Sequence, residues 1–124
     1  MSEYVDGFVI PVPKENIEKY EEIATKAGEI WKEYGALDYR ETLLDDPTSP
    51  DLVSFLNLAG AKEGETVAFS WITYESKEHR DSVNEKVMAD PRINEMCGVE
   101  EVFDCKRMAY GGFETLVHIS RNKI

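Results

Sequence analysis

Asp6 stands inside the run YVDGFVIPV, residues 4–12, with apolar residues around it. A carboxylate is normally excluded from such a strand unless it is paired, so Asp6 is the first candidate for chemistry. A second concentration lies in KRMAYGGFE, residues 106–114, which holds Arg107, Tyr110, Gly111, Gly112 and Glu114. If the first and last strands run antiparallel, the start of one meets the end of the other, and Asp6 lies nearer Glu114 than Arg107. Two neighbouring carboxylates raise one pKa and make an acid or base; the alternative is a structural aspartate bonded to backbone or to an arginine. Arg107 is read at the opening of the last strand. There its guanidinium clamps a carboxylate or phosphate, or forms a surface ion pair. Phe8, Phe69, Trp71 and Tyr110 supply aromatic walls for an apolar cavity, with Ser70 and the Tyr110 hydroxyl as polar handles, or serve as plain core and dimer contacts. The expected ligand-binding set is Asp6, Phe8, Ser70, Trp71, Arg107, Tyr110, Gly112 and Glu114.

Gly111 and Gly112 interrupt a strand pattern, where glycine costs backbone entropy and packs nothing. Two explanations stand side by side: a bulge or sharp twist that curls an edge strand, or space cleared for a ligand. No glycine-rich phosphate loop is present. His79 and His118 have no Asp, Glu or Cys at ligand spacing, so neither a metal nor a haem is expected, and no cofactor is assigned. Cys97 and Cys105 form no CxxC pair and read as inert, reduced thiols, with a disulfide between them as the alternative.

These residues need a scaffold, and the chain of 124 residues is long enough for one domain, residues 1–124, with its own core. Its 42% hydrophobic and 31% charged residues are those of a folded protein. The net charge of -11 argues against a nucleic-acid partner. No apolar run approaches the roughly 18 residues of a membrane span, and MSEYVDGFVI passes straight into alternation without an export pattern. A cytoplasmic setting is expected.

The alternation of residues 4–12 predicts a strand that Pro13 closes. Ile17, Tyr20, Ala24, Ala27, Trp31 and Tyr34 recur at helical spacing over 14–34, and Gly35 ends that helix. LDYRETLL, 37–44, reads as a half-exposed strand. Residues 45–66 form a breaker-rich connection around the apolar VSFLNLA. VAFSWITY, 67–74, is a strand apolar on both sets. Ser76 caps a helix running to about residue 89 with Val83 and Val87 inward, and Asp90-Pro91 starts a short helix anchored by Ile93 and Met96. The last strand is KRMAYGGFE continuing through Thr115, Leu116 and Val117.

Strand, helix, strand, strand, helix, strand is the ferredoxin-like βαββαβ plait, an α+β fold with a four-stranded antiparallel sheet in the order 4-1-3-2 and both helices on one face. The other face is left bare, although one side set holds Tyr4, Phe8, Phe69 and Trp71 and the other Val5, Val9, Ala68 and Ile72. A second copy covering it makes a homodimer. YVDGFV, VAFSWITY followed by SKEHRD, VMADPR and KRMAYGGFE resemble the segments of the YbaA-like bacterial family of unknown function. That resemblance implies the dimeric α+β barrel superfamily, whose members include cofactor-independent monooxygenases, isomerases and haem-handling proteins, and it brings no established activity. Two functions remain: a dimer binding a small apolar or aromatic molecule between sheet and helices, or a noncatalytic interaction or structural module.

Overall fold

The structure is a computed structural model of the chain and describes residues 3–47, 50–96 and 102–121. Strand β1 spans Tyr4–Pro13, and a 3-10 turn at Lys14–Asn16 leads into helix α1, Ile17–Glu33. Strand β2 follows at Asp38–Leu43, the short helix α2 at Phe55–Ala59 and strand β3 at Glu65–Tyr74. Helix α3 is Lys77–Met88, α4 is Pro91–Met96, and after a 3-10 turn at Cys105–Arg107 strand β4 closes the chain at Ala109–Glu114. All neighbouring strands are antiparallel in the order β2-β3-β1-β4. This is the expected plait, with α2 and α4 added to it. No helix among the described residues is long and apolar enough to cross a membrane.

The helix ends follow local chemistry. Gly35, at φ +115°, takes the left-handed position after α1, and the Gly35 and Ala36 amides return to the Lys32 and Trp31 carbonyls, satisfying the last turn. Ser76 Oγ accepts from the His79 amide at 3.1 Å and opens α3. Asp90 Oδ1 accepts from the Arg92 amide at 2.8 Å at the start of α4.

Three strand expectations need correction. Pro13 stays in β1, opposite Glu65. The Lys14 amide bonds Gly64 beside β3, so the alternate residues Pro11 and Pro13 turn their missing donors to the other side, where β4 has already ended at Ala109 opposite Val9. Lys106 and Arg107 do not open β4; they form a 3-10 turn because the Asp104 carboxylate accepts from the Lys106 amide and caps it. Nor does the strand continue through Leu116 and Val117, since it ends at Glu114 with only the Thr115 amide reaching back, to the Glu3 carbonyl.

The register also corrects how the strands share faces. Phe8 lies opposite Ser70 and Val9 opposite Phe69, so Tyr4, Asp6, Phe8 and Ile10 point with Ser70 and Ile72 toward the helices. Phe69 and Trp71 point away, with Val5 and Val9. On the helix face Ile30, Ile72, Tyr74, Val83, Val87 and Ile93 form one core, and Ile10, Val12, Tyr20, Ala24, Ala68 and Val102 another. The opposite face is not bare throughout. Helix α2 lies against the end of β1 and β3, where Pro11 and Val67 are buried, and the Phe55 ring sits 6.0 Å from that of Phe69. The rest of that face stays open, with Phe69 44% and Phe113 59% exposed.

Candidate functional site

Between the helix face of the sheet and α1, α3 and α4 lies a cavity of about 420 Å³. Its wall is largely aliphatic and aromatic, and its polar groups gather at two ends. β1 sets the first end. The period-two alternation that buries Ile10 and Val12 also buries Asp6, which is 1% exposed.

Three side chains satisfy that carboxylate. Arg80 Nη1 donates to Oδ1 at 3.0 Å, Tyr110 Oη donates to Oδ1 at 3.2 Å, and Asn84 Nδ2 donates to Oδ2 at 3.4 Å. Arg80 Nη1 also donates to Tyr110 Oη at 2.7 Å. Asn84 Oδ1 in turn accepts from Trp31 Nε1 at 3.0 Å and Tyr74 Oη at 3.2 Å, so its amide is oriented by two fixed donors. Burial pulls the Arg80 pKa down, but the Asp6 carboxylate and the tyrosines Tyr110 and Tyr4 outweigh it and hold the guanidinium charged. Burial, followed by the Asp6 charge, raises Tyr110 above the ordinary phenol range. At neutral pH the phenol is therefore a proton and hydrogen-bond donor, half exposed at the cavity wall.

Tyr4 carries Arg80 from the other side. Its ring lies 4.9 Å from the guanidinium carbon, and its hydroxyl accepts from Nη2 at 3.5 Å. Gly112 makes that possible. A Cβ on Gly112 would sit 2.5 Å from Tyr4 Oη. Gly111 serves the opposite face, where it pairs with Gly7 beneath the Phe113 ring. Pairing runs unbroken from Tyr4–Glu114 to Val9–Ala109, so the glycine pair forms no bulge, and the space it clears is taken by the protein's own Tyr4 and Phe113 rings.

The second end belongs to β2 and α1. Glu41 Oε1 accepts from Tyr20 Oη at 2.7 Å, and Oε2 accepts from Tyr39 Oη at 2.9 Å. Burial and the Glu41 charge raise both phenols above their ordinary range, so they stay protonated donors. Helix α1 leaves room for Tyr39 at Gly28, where a Cβ would meet the ring at 2.6 Å.

Of the expected site residues, the structure brings Asp6, Phe8, Ser70 and Tyr110 to this cavity. Gly112 stands opposite Asp6 without lining the cavity, and Glu114 lies two pairs further, opposite Tyr4. The carboxylate beside Asp6 is thus replaced in effect by an arginine. Trp71 is on the opposite face, with the Arg40 guanidinium 5.8 Å from its ring centre, because the pairing is one residue out of phase with the expected grouping. Phe69 shares that face. Arg107 is engaged elsewhere: its two terminal nitrogens donate to the Glu65 carboxylate, each at 2.8 Å, and one reaches the Gly60 carbonyl at 2.7 Å. His79 Nδ1 accepts from the Glu75 amide at 3.0 Å, a local turn contact. Cys97 lies outside the described residues.

Sequence reasoning missed Arg80, Asn84 and Glu41. A signal existed for the first two: Arg80, Val83, Asn84 and Val87 follow the i, i+3, i+4, i+7 pattern, so two polar residues share the buried stripe of α3.

The family described as protein of unknown function, DUF1428, matches residues 3–105. The uncharacterized protein YbaA of Escherichia coli K12 is 46% identical over 114 residues, 92% of this chain and 97% of its own. Among solved structures, a NIPSNAP family protein of unknown function from Agrobacterium tumefaciens aligns with TM-score 0.55 at 13% identity, covering 91% of this chain and 87% of that one. A protein from an uncultured marine organism, described as a dimeric ferredoxin-like protein, aligns with TM-score 0.52 at 8% identity over 97% and 99%. The two structures bear on the fold alone.

Proposed function

We propose that this chain, which belongs to the DUF1428 family of proteins of unknown function, binds one small apolar or aromatic molecule in the cavity between sheet and helices. The observation that carries the reading is a cavity of about 420 Å³, within the usual size of ligand sites, in whose largely apolar wall the Asp6 and Glu41 carboxylates are held by hydrogen bonds. Asp6, Tyr110 and Asn84 orient the ligand at one end, and Phe8 and Ser70 form part of the floor. Native mass spectrometry of freshly purified protein tests it. The expected result is a retained mass above that of the chain, released on denaturation. Protein that carries no added mass and takes up no aromatic probe overturns the reading.

The open sheet face supports a second element of the proposal, a homodimer. Val5, Val9, Phe69, Trp71 and Phe113 share this face, and the residues after β4 expose Leu116 and Ile119 as well. Covering such a patch removes apolar area from water at about 25 cal/mol per Å². One of the structural neighbours is described as dimeric. The same face favours the alternative reading, a noncatalytic module that uses it to meet another protein.

A further inference from the structure

Resting on the ligand-binding reading above, we infer that the cavity takes a small organic cation: an apolar or aromatic body bearing a protonated amine that seats against Glu41.

The charge around the cavity is one-sided. Among the described residues two carboxylates line it, Asp6 and Glu41, and no Lys, Arg or His does. Asp6 is matched from behind by Arg80, which donates to it at 3.0 Å. Glu41 has no such match: among the described residues its partners are two neutral hydroxyls, one on each oxygen. Each carboxylate oxygen has a second lone pair to offer. Glu41 is partly buried, and a ligand ammonium at this apolar wall supplies the cationic partner that the two hydroxyls do not.

The walls point the same way. Tyr20, Tyr39, Trp31 and Phe103 line the Glu41 side, with the Trp31 and Tyr39 ring centres 6.1 Å apart and Tyr20 set edge-on to Phe103 at 5.3 Å. Aromatic rings grouped around a carboxylate are the environment that stabilises an organic ammonium through cation–π attraction. A neutral ligand hydroxyl also donates to Glu41, but leaves the charge uncompensated.

Register sets the size of the ligand. Glu41, Ser70 and Phe8 are successive partners across β2, β3 and β1, so the two outer backbones are roughly 10 Å apart at this level. One ring with a short amine-bearing arm spans that width.

Calorimetric titration of the full chain at neutral pH with benzylamine, benzyl alcohol and benzoate is the test. Benzylamine is expected to bind at least roughly tenfold more tightly than benzyl alcohol, because both donate to Glu41 but only the ammonium brings a charge to the bond. Benzoate is expected to bind most weakly. Glu41→Gln should bring benzylamine down to the level of benzyl alcohol while benzyl alcohol binding persists, which also shows that the variant is folded. Should the variant fail to fold, the three wild-type affinities decide alone. Benzyl alcohol or benzoate binding as tightly as benzylamine overturns the inference and leaves the ligand-binding reading standing. Binding of none of the three overturns both.

Discussion

Asp6 shows what a buried charge requires. Three donors surround it, and deleting one partner of such a buried pair costs about 3–5 kcal/mol, because the remaining charge is left without compensation. The arrangement extends one residue further, to a glycine that touches none of those polar atoms. Gly112 gives the Tyr4 hydroxyl its place, and Tyr4 underlies Arg80. We expect Gly112→Ala to displace Tyr4 and lower stability in urea unfolding by about 1–3 kcal/mol, the usual cost of overpacking. In a Tyr4→Ala background the same change should cost much less, since the two residues share one contact. Equal costs in both backgrounds would show that the glycine serves something other than Tyr4. Asp6 was legible in the sequence as an anomaly; its partner was not. The arginine sits 74 positions away on α3, and the chain pattern says which strand is first and last but not which helix turn lies above Asp6.

At the scale of elements, the strands and helices were readable because each has a local cause: an alternating run, an apolar stripe, a serine or aspartate cap, a glycine stop. The misreading came where local patterns compete. KRMAYGGFE alternates from its first residue, yet Asp104 caps a turn over Lys106 and Arg107, and tertiary pairing then draws Arg107 to Glu65. Strand pairing caused the other error. A shift of one residue turns every side chain to the other face, and nothing in the sequence separates a sheet in which Phe8 and Trp71 share a face from the one observed.

The Arg107–Glu65 contact joins the turn before β4 to the start of β3 and has a consequence in acid. Hydrogen bonds from Arg107, then the Lys62 amide, lower the Glu65 pKa from 4.5 to about 2. A carboxylate whose folded pKa lies below its unfolded value contributes stability that is complete above the unfolded value and is lost as pH falls through the folded one. Wild-type stability should therefore decline between pH 4.5 and about 2 more steeply than that of Arg107→Ala, measured by urea unfolding at stepped pH. Parallel curves would mean that the partly exposed pair is screened by solvent and contributes nothing.

At the scale of the whole molecule, the plait presents two apolar features with different fates. One is the sheet face that α2 leaves open. Sedimentation at micromolar concentration is expected to give about twice the 14.1 kDa chain mass, and a Phe113→Glu variant, with a charge placed on that face, should sediment as a monomer. A wild-type monomer would remove the homodimer.

The other feature is the cavity between sheet and helices, which is either a binding site or unfilled packing. Ala27 lines it from α1, a position where leucine is as well tolerated by the helix as almost any residue. Calorimetric titration of benzyl alcohol into wild type and Ala27→Leu decides the question most directly. The account predicts measurable binding to wild type and its loss in Ala27→Leu, with the melting temperature unchanged or raised because the added side chain fills space. Binding that survives the filled cavity undiminished would contradict it and place the ligand elsewhere.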